Sequence, residues 1–340
     1  MNNKRHLSTM FNNKLGYILF IYLFTAFLIF ASKIISPNFG SWAQIESILI
    51  ISSLIVMIGF GQGLVILLGE LDLSIGAVIS LAGVLTVSWL GFDPTLLDFI
   101  MMFCILAIIG LVNGIGVTYL KIPSFIMTLA TQMIIFGGAL GYTKGTVPGT
   151  SPIFLEKLMS GRIINIPIPI FILILMMVLG TFFQTKSNFG RKLYAIGSNK
   201  NTTHLAGVSV NITIIFAFIL SSLFAGITGM LLVGYAGGAT LAMGDPYLLP
   251  SIAMVVVGGS SILGGSGNYL GTVGAGVFLT TISTLIQALG LNQGWQTFIY
   301  GLMILLVLSF LREDLYQLFR RFKITPPKKL DDENVRKIVS

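Results

Sequence analysis

Long apolar runs constrain this chain more than any other feature. Ten stretches, 15–35, 45–68, 74–91, 97–119, 123–143, 165–184, 212–235, 246–262, 268–290 and 294–311, approach or exceed the length needed to cross a bilayer. A helix rising 1.5 Å per residue needs about 20 apolar residues to span a hydrocarbon core of about 30 Å. In lipid every backbone polar group must be satisfied within its own segment, so such runs become helices or closed barrels, and runs this long and apolar become helices. Only 9% of the 340 residues are charged, against about 25% in soluble globular domains. The expected fold is all-α, a polytopic membrane helical bundle of about ten transmembrane helices. The third and eighth runs are short and glycine-rich, the pattern of bent or re-entrant segments.

Charge orients the bundle. With the N-terminus inside, ten spans put both termini in the cytoplasm, and 16 of the 20 Lys and Arg residues then lie on that side. They are Lys4, Arg5, Lys14, Lys121, Lys186, Arg191, Lys192, Lys200 and the eight between Arg312 and Lys337. Only Lys33, Lys144, Lys157 and Arg162 stay outside. Positive residues on the inner side are the usual determinant of orientation. They also account for the net charge of +8 without any nucleic-acid partner. The organisation expected is a cytoplasmic tail (1–14), a transmembrane domain (15–311) with an outer loop at 144–164 and a cytoplasmic loop at 185–211, and a cytoplasmic C-terminal tail (312–340). That tail begins with Leu315, Leu318, Phe319 and Phe322 on one helical face beside Arg320, Arg321 and Lys323, a pattern that suits a helix on the inner membrane surface. The first run is longer than the core of a secretory signal and is read as a retained helix.

The residues give little support to covalent chemistry. Cys104 is the sole cysteine and is read as a small buried apolar residue. His6 and His204 are the only histidines, so no metal-ligand spacing exists. A phosphate-binding G-x-x-x-x-G-K-[ST] loop is absent, and no loop is long enough to hold a catalytic domain. No cofactor is expected on the chain itself. Spaced glycines such as Gly110/Gly114 and Gly137/Gly141 are read as helix-packing positions.

Polar residues within the runs are mostly neutral: Gln62, Asn113, Thr128, Thr131, Gln132, Ser221, Ser222 and Gln287. Each either bonds between helices or lines a wet path, because an unpaired polar group in an apolar interior is costly. Such a lining suits a neutral, hydroxyl-rich solute better than an ion. Acids stand only at the ends of runs. Glu70, Asp72 and Ser74 follow the second run, and Asp245 precedes Pro246. Helix capping is the first expectation for both Asp72 and Asp245.

Four ordered segments carry a family resemblance. Residues 69–76, Gly-Glu-Leu-Asp-Leu-Ser-Ile-Gly, resemble the G-G-I-D-L-S-x-G signature of the ribose/xylose-type permeases, the membrane subunits of ABC importers for monosaccharides and related solutes. Asn113-Gly114 followed by Lys121-Ile122-Pro123-Ser124-Phe125-Ile126-Met127-Thr128-Leu129 is similar to the family's N-G…(K/R)-I-P-x-F-I-x-T-L segment. Residues 189–199 resemble its F-G-R-x-x-Y-A-I-G-x-N loop, which continues through His204, Leu205, Gly207 and Val208. Residues 258–267 match G-G-x-S-x-x-G-G-x-G. Two positions depart from the family pattern: Glu70 replaces a Gly, and Ser266 stands where Arg is common.

The resemblance implies a multi-pass plasma-membrane permease. It would work as a homodimer or heterodimer with a second permease, with cytoplasmic ABC ATPase subunits holding ATP and Mg, and with an extracytoplasmic solute-binding protein. The loop 185–211 would dock the ATPase. Arg191, Lys192 and Lys200 would supply charge, Tyr194 and Leu205 apolar anchors, and Gly190, Gly197 and Gly207 turns, with Asn199 and His204 in the same segment. Gly197→Arg is then expected to uncouple ATP hydrolysis from uptake without preventing insertion. The alternatives left open are a stand-alone secondary carrier and a membrane sensor or scaffold.

Overall fold

The computed structural model describes residues 14–34, 39–91, 94–147 and 149–311. The interfacial helix expected after residue 312 and nearly all of the N-terminal tail lie outside these residues. Thirteen α-helices are described. We number them α1 (Lys14–Ala31), α2 (Trp42–Leu67), α3 (Ile75–Trp89), α4 (Leu96–Thr118), α5 (Ser124–Thr143), α6 (Ile153–Ser160), α7 (Ile168–Lys186), α8 (Asn188–Ser198), α9 (Lys200–Leu205), α10 (Val210–Ala236), α11 (Asp245–Val257), α12 (Tyr269–Ala288) and α13 (Gln293–Leu311). One small departure from an all-helical chain is a two-residue hairpin, in which Arg162–Ile163 pairs antiparallel with Ile166–Pro167.

Among the described residues, seven helices are long and apolar enough to cross a membrane, namely α1 (extended to Ile34), α2, α4, α5, α7, α10 and α12. The protein is thus a polytopic helical membrane protein. The third and eighth runs form the short helices α3 and α11, of 15 and 13 residues. α3 ends at Leu90, whose N–H bonds Thr86 O, and α11 at Gly258, whose N–H bonds Met254 O.

The core forms around α2 and α10. The apolar stretch of α2 is 83% buried and those of α10 and α12 61%, against 17% for α1, so α1 lies at the rim while α2, α10 and α12 are enclosed. Small residues allow this closeness. A side chain at Gly110 or Gly114 of α4 would strike the backbone of α10 at Phe218–Ile219 or Ile215, so dispersion between close backbones substitutes for a hydrophobic drive that lipid cannot supply. The pair Gly137/Gly141 behaves differently: nothing lies within 4 Å of either position, nor of Gly138. The packing expected there is absent among the described residues, because α5 touches its neighbours through another face, with Ser124, Thr128, Thr131, Ile135, Ala139 and Thr143 buried. Cys104 also departs from expectation. It is exposed on α4, on the apolar outer face that includes Ile108 and Leu111.

Two ion pairs mark the ends of the bundle. Arg162 of the hairpin meets Glu46 at 2.6 Å near the start of α2. Lys200 of α9 meets Glu70, just past the end of α2, at 2.5 Å. From Glu46 to Leu67 α2 rises about 32 Å at 1.5 Å per residue, close to the thickness of a hydrocarbon core. The two polar segments singled out in the sequence therefore sit at opposite ends of the bundle.

Candidate functional site

Between α2 and α3 the chain is not helical. Gly69 turns it with φ of +76°, and residues 70–74 re-enter the bundle in an irregular conformation. Irregular backbone at membrane depth is tolerated only where protein or water satisfies it. Here α5 does so. Ser124 Oγ accepts from Leu71 N at 3.1 Å, and Thr128 Oγ1 accepts from Leu73 N at 2.9 Å.

Asp72 is the centre of this arrangement. One carboxylate oxygen accepts from Ser74 N at 3.0 Å and Ser74 Oγ at 2.6 Å, and the other from Ser221 Oγ of α10 at 2.8 Å. Ser74 Oγ in turn accepts from Asn113 Nδ2 at 3.0 Å, and Asn113 Oδ1 accepts from Thr131 Oγ1 at 2.6 Å. One carboxylate thus ties the 70–74 segment to α10 directly and to α4 and α5 through Ser74. Asp72 and Asn113 are buried, at 1% and 0% exposure, so losing either leaves polar groups with no water to replace them. The capping expectation for Asp72 is corrected in part: the residue flanking α3 is Ser74, and Asp72 bonds that residue rather than the first turn. Four sequence candidates, Asn113, Thr128, Thr131 and Ser74, converge on this one segment. Spacing along the sequence did not show that Asp72 joins them, nor that Ser221 completes the set.

Gln62 and Gln132 lie elsewhere. Gln62 is fully buried in α2, and among the described residues neither carboxamide atom has a hydrogen-bond partner. Gln132 is half-buried, and its buried Oε1 has no hydrogen-bond partner among the described residues. Ser222 bonds the Leu106 carbonyl at 2.6 Å, joining α10 to α4, and Gln287 is exposed near the end of α12.

The 185–211 segment folds as α8 and α9, seated across the Glu70 end of the bundle. Ser187 caps α8 through Gly190 N at 2.8 Å, and Asn199 caps α9 through Thr202 N at 2.9 Å. Leu193 and Ile196 are buried. Tyr194 also turns inward, its hydroxyl donating to Gly267 O at 3.0 Å, and burial pushes its phenol pKa up, which keeps the donor protonated. Gly190 and Gly197 are positions of close approach rather than turns. A side chain at Gly190 would strike Gln184 O, and one at Gly197 would strike Leu67 O and Gly265 N, which themselves share a 2.9 Å hydrogen bond. Gly207, with φ of +82°, is a turn. The outward face presents Arg191, Lys192, Lys200, His204 and Leu205, the last 87% exposed. The four family segments read in the sequence therefore meet at one end of the bundle: Ser124 accepts from Leu71 N, Glu70 bonds Lys200, Gly197 abuts Leu67 and Gly265, and Tyr194 reaches Gly267.

Among the described residues no group of His, Cys, Asp and Glu is arranged to hold a metal ion.

Comparison with known proteins agrees with this geometry. Residues 44–308 match the family described as branched-chain amino acid transport system / permease component. The ribose import permease of Bacillus subtilis strain 168 is 32% identical over 298 residues, 86% of this chain and 91% of its own length. The galactose/methyl galactoside import permease of Escherichia coli K12 is 30% identical over 91% of this chain and 96% of its own length. The D-allose transport system permease of the same organism is 31% identical over 78% and 83%. No solved structure matches the chain. With a family match across most of its length and relatives of this similarity, the chain belongs to the permease-component family of ABC importers that includes these sugar import permeases.

Proposed function

We propose that this chain is the membrane subunit of a binding-protein-dependent ABC importer that passes a neutral sugar or sugar-like solute into the cell by ATP-driven alternating access. The observation that carries the reading is the exposed face of α8 and α9, basic and apolar at once, on a seat keyed into the end of α2 and the 258–267 turn. Exposed Leu205 with flanking Arg191, Lys192 and Lys200 suits a partner's groove. The partner is a cytoplasmic ATPase that supplies ATP and Mg. An extracytoplasmic binding protein delivers solute at the Glu46 end, and a second permease copy or relative completes the path. All ten apolar runs contribute to crossings of the membrane in this reading, the short helices α3 and α11 together with the irregular segments that precede them, with both termini and the 185–211 segment in the cytoplasm. The divisions at 1–14, 15–311 and 312–340 follow from it.

Docking is tested on outward residues. Gly197→Arg is unsuited, because it would break the seat itself. Arg191→Glu combined with Leu205→Asp is expected to abolish uptake while the permease still inserts and purifies as a folded protein. Full uptake by that variant, or in cells lacking the ATPase, would overturn the reading.

A further inference from the structure

The chain between α10 and α11 runs back into the bundle instead of crossing its end. Ala239 and Met243 lie beside Gly83 of α3, and Gly244 N donates to Ser80 Oγ at 3.0 Å. The starts of α3 and α11 meet there: a Cβ on Gly76 would sit 3.2 Å from Gly244 O and 3.6 Å from the Asp245 Cα. At the other end of α3, Trp89 bonds the Tyr142 hydroxyl near the end of α5 at 3.2 Å. Gly76 to Trp89 is a rise of about 20 Å, so Asp245 lies deep within a bundle about 32 Å tall.

Asp245 is nevertheless exposed, as are Thr240, Ala242 and Pro246. Its side chain forms no capping bond, which corrects the capping expectation, and among the described residues it has no ion-pair or hydrogen-bond partner. A free carboxylate at this depth faces water or protein rather than lipid chains.

We propose that Asp245 lines the wet translocation path and is a solute contact, its carboxylate accepting hydrogen bonds from hydroxyl groups of a neutral polyhydroxylated solute. The solute's chemistry rests on the importer reading; the wet wall does not.

Two experiments test this. In a Cys104→Ser background, D245C and T240C variants are treated in whole cells with a membrane-impermeant thiol reagent, with L305C on the exposed apolar face of α13 as control. Modification at 245 and 240 is expected at least tenfold faster than at 305. A rate at 245 equal to that at 305 overturns the proposal. Then D245N and D245E are assayed in the importer reconstituted with its ATPase and binding protein, with ribose, allose and galactose as probes. D245N is expected to lower uptake at least tenfold, and D245E to recover part of it. Wild-type uptake by D245N overturns the solute contact. If the wild type carries none of the three sugars, the sugar-import reading and the solute contact fall together, while the labelling still decides the wet wall.

Discussion

Replacing Gly197 with alanine should separate α8 from the end of α2. The added methyl falls on Leu67 O and Gly265 N, two backbone atoms already joined by a 2.9 Å hydrogen bond. Neither is the loose end of a side chain, so relief requires α8 to back away or the 258–267 turn to shift. The lost hydrogen bond costs about 1 kcal/mol, and overpacking between elements adds about 1–3 kcal/mol. The sum is about 2–4 kcal/mol. With an unfolding entropy of about 2.1 cal/mol/K per residue, this corresponds to a melting midpoint about 3–6 °C lower for a chain of this length. Thermal unfolding of the purified permease in detergent, followed by intrinsic fluorescence, measures it. Gly137→Ala is the matched control: it is helical with nothing within 4 Å, so the same added methyl should be neutral or slightly stabilising. A Gly197→Ala midpoint within about 1 °C of wild type, on the scale set by that entropy, would refute the argument that this glycine is required by close approach.

Three further outcomes follow from the same geometry. Asp72→Ala removes the acceptor for Ser74 N, Ser74 Oγ and Ser221 Oγ; at about 1–3 kcal/mol for each buried group left unpaired, it should be more destabilising than Gly197→Ala in the same melt. Tyr194→Phe deletes one hydrogen bond to Gly267 O and should cost about 1 kcal/mol. Because burial raises the Tyr194 phenol, its contribution is complete below the unfolded value of about 10 and fades as pH rises through the higher folded value. The Phe variant should therefore lose less of its stability than wild type in strongly alkaline solution. The Glu70–Lys200 pair, with the lysine side chain 47% exposed, should show a coupling of only about 0.2–1 kcal/mol in a double-mutant cycle, and less at high salt.

Much of the architecture was legible from composition and spacing. Apolar run length located the helices because a bilayer imposes one number on every span, and the short third and eighth runs were visible as such. The polar candidates were also legible as a set, since Asn113, Thr128 and Thr131 stand out against apolar neighbours. Their partners were not. Asp72 meets Ser221 across 149 positions of sequence, and no periodicity reports a contact of that range. Glycines were the least readable class. Gly110 and Gly137 look alike in sequence, yet the first abuts α10 and the second abuts nothing, because what a small residue permits depends on what the tertiary fold brings to it. Tyr194 shows the same limit: an aromatic residue in a basic loop suggests an outward anchor, while its hydroxyl is spent on Gly267 O.

The sequence by itself determined that this chain lives in a membrane as a helical bundle, which polar segments leave it, and which family motifs it carries. Those properties depend on transfer of local segments into lipid, and each segment contains its own answer. Only the tertiary structure decided that four motifs scattered between residues 69 and 267 meet at one end, that Asp72 joins three helices to an irregular segment, and that Asp245 stands exposed deep within the bundle. These depend on the order in which helices pack, which is set by shape and by pairing of buried polar groups across the whole chain.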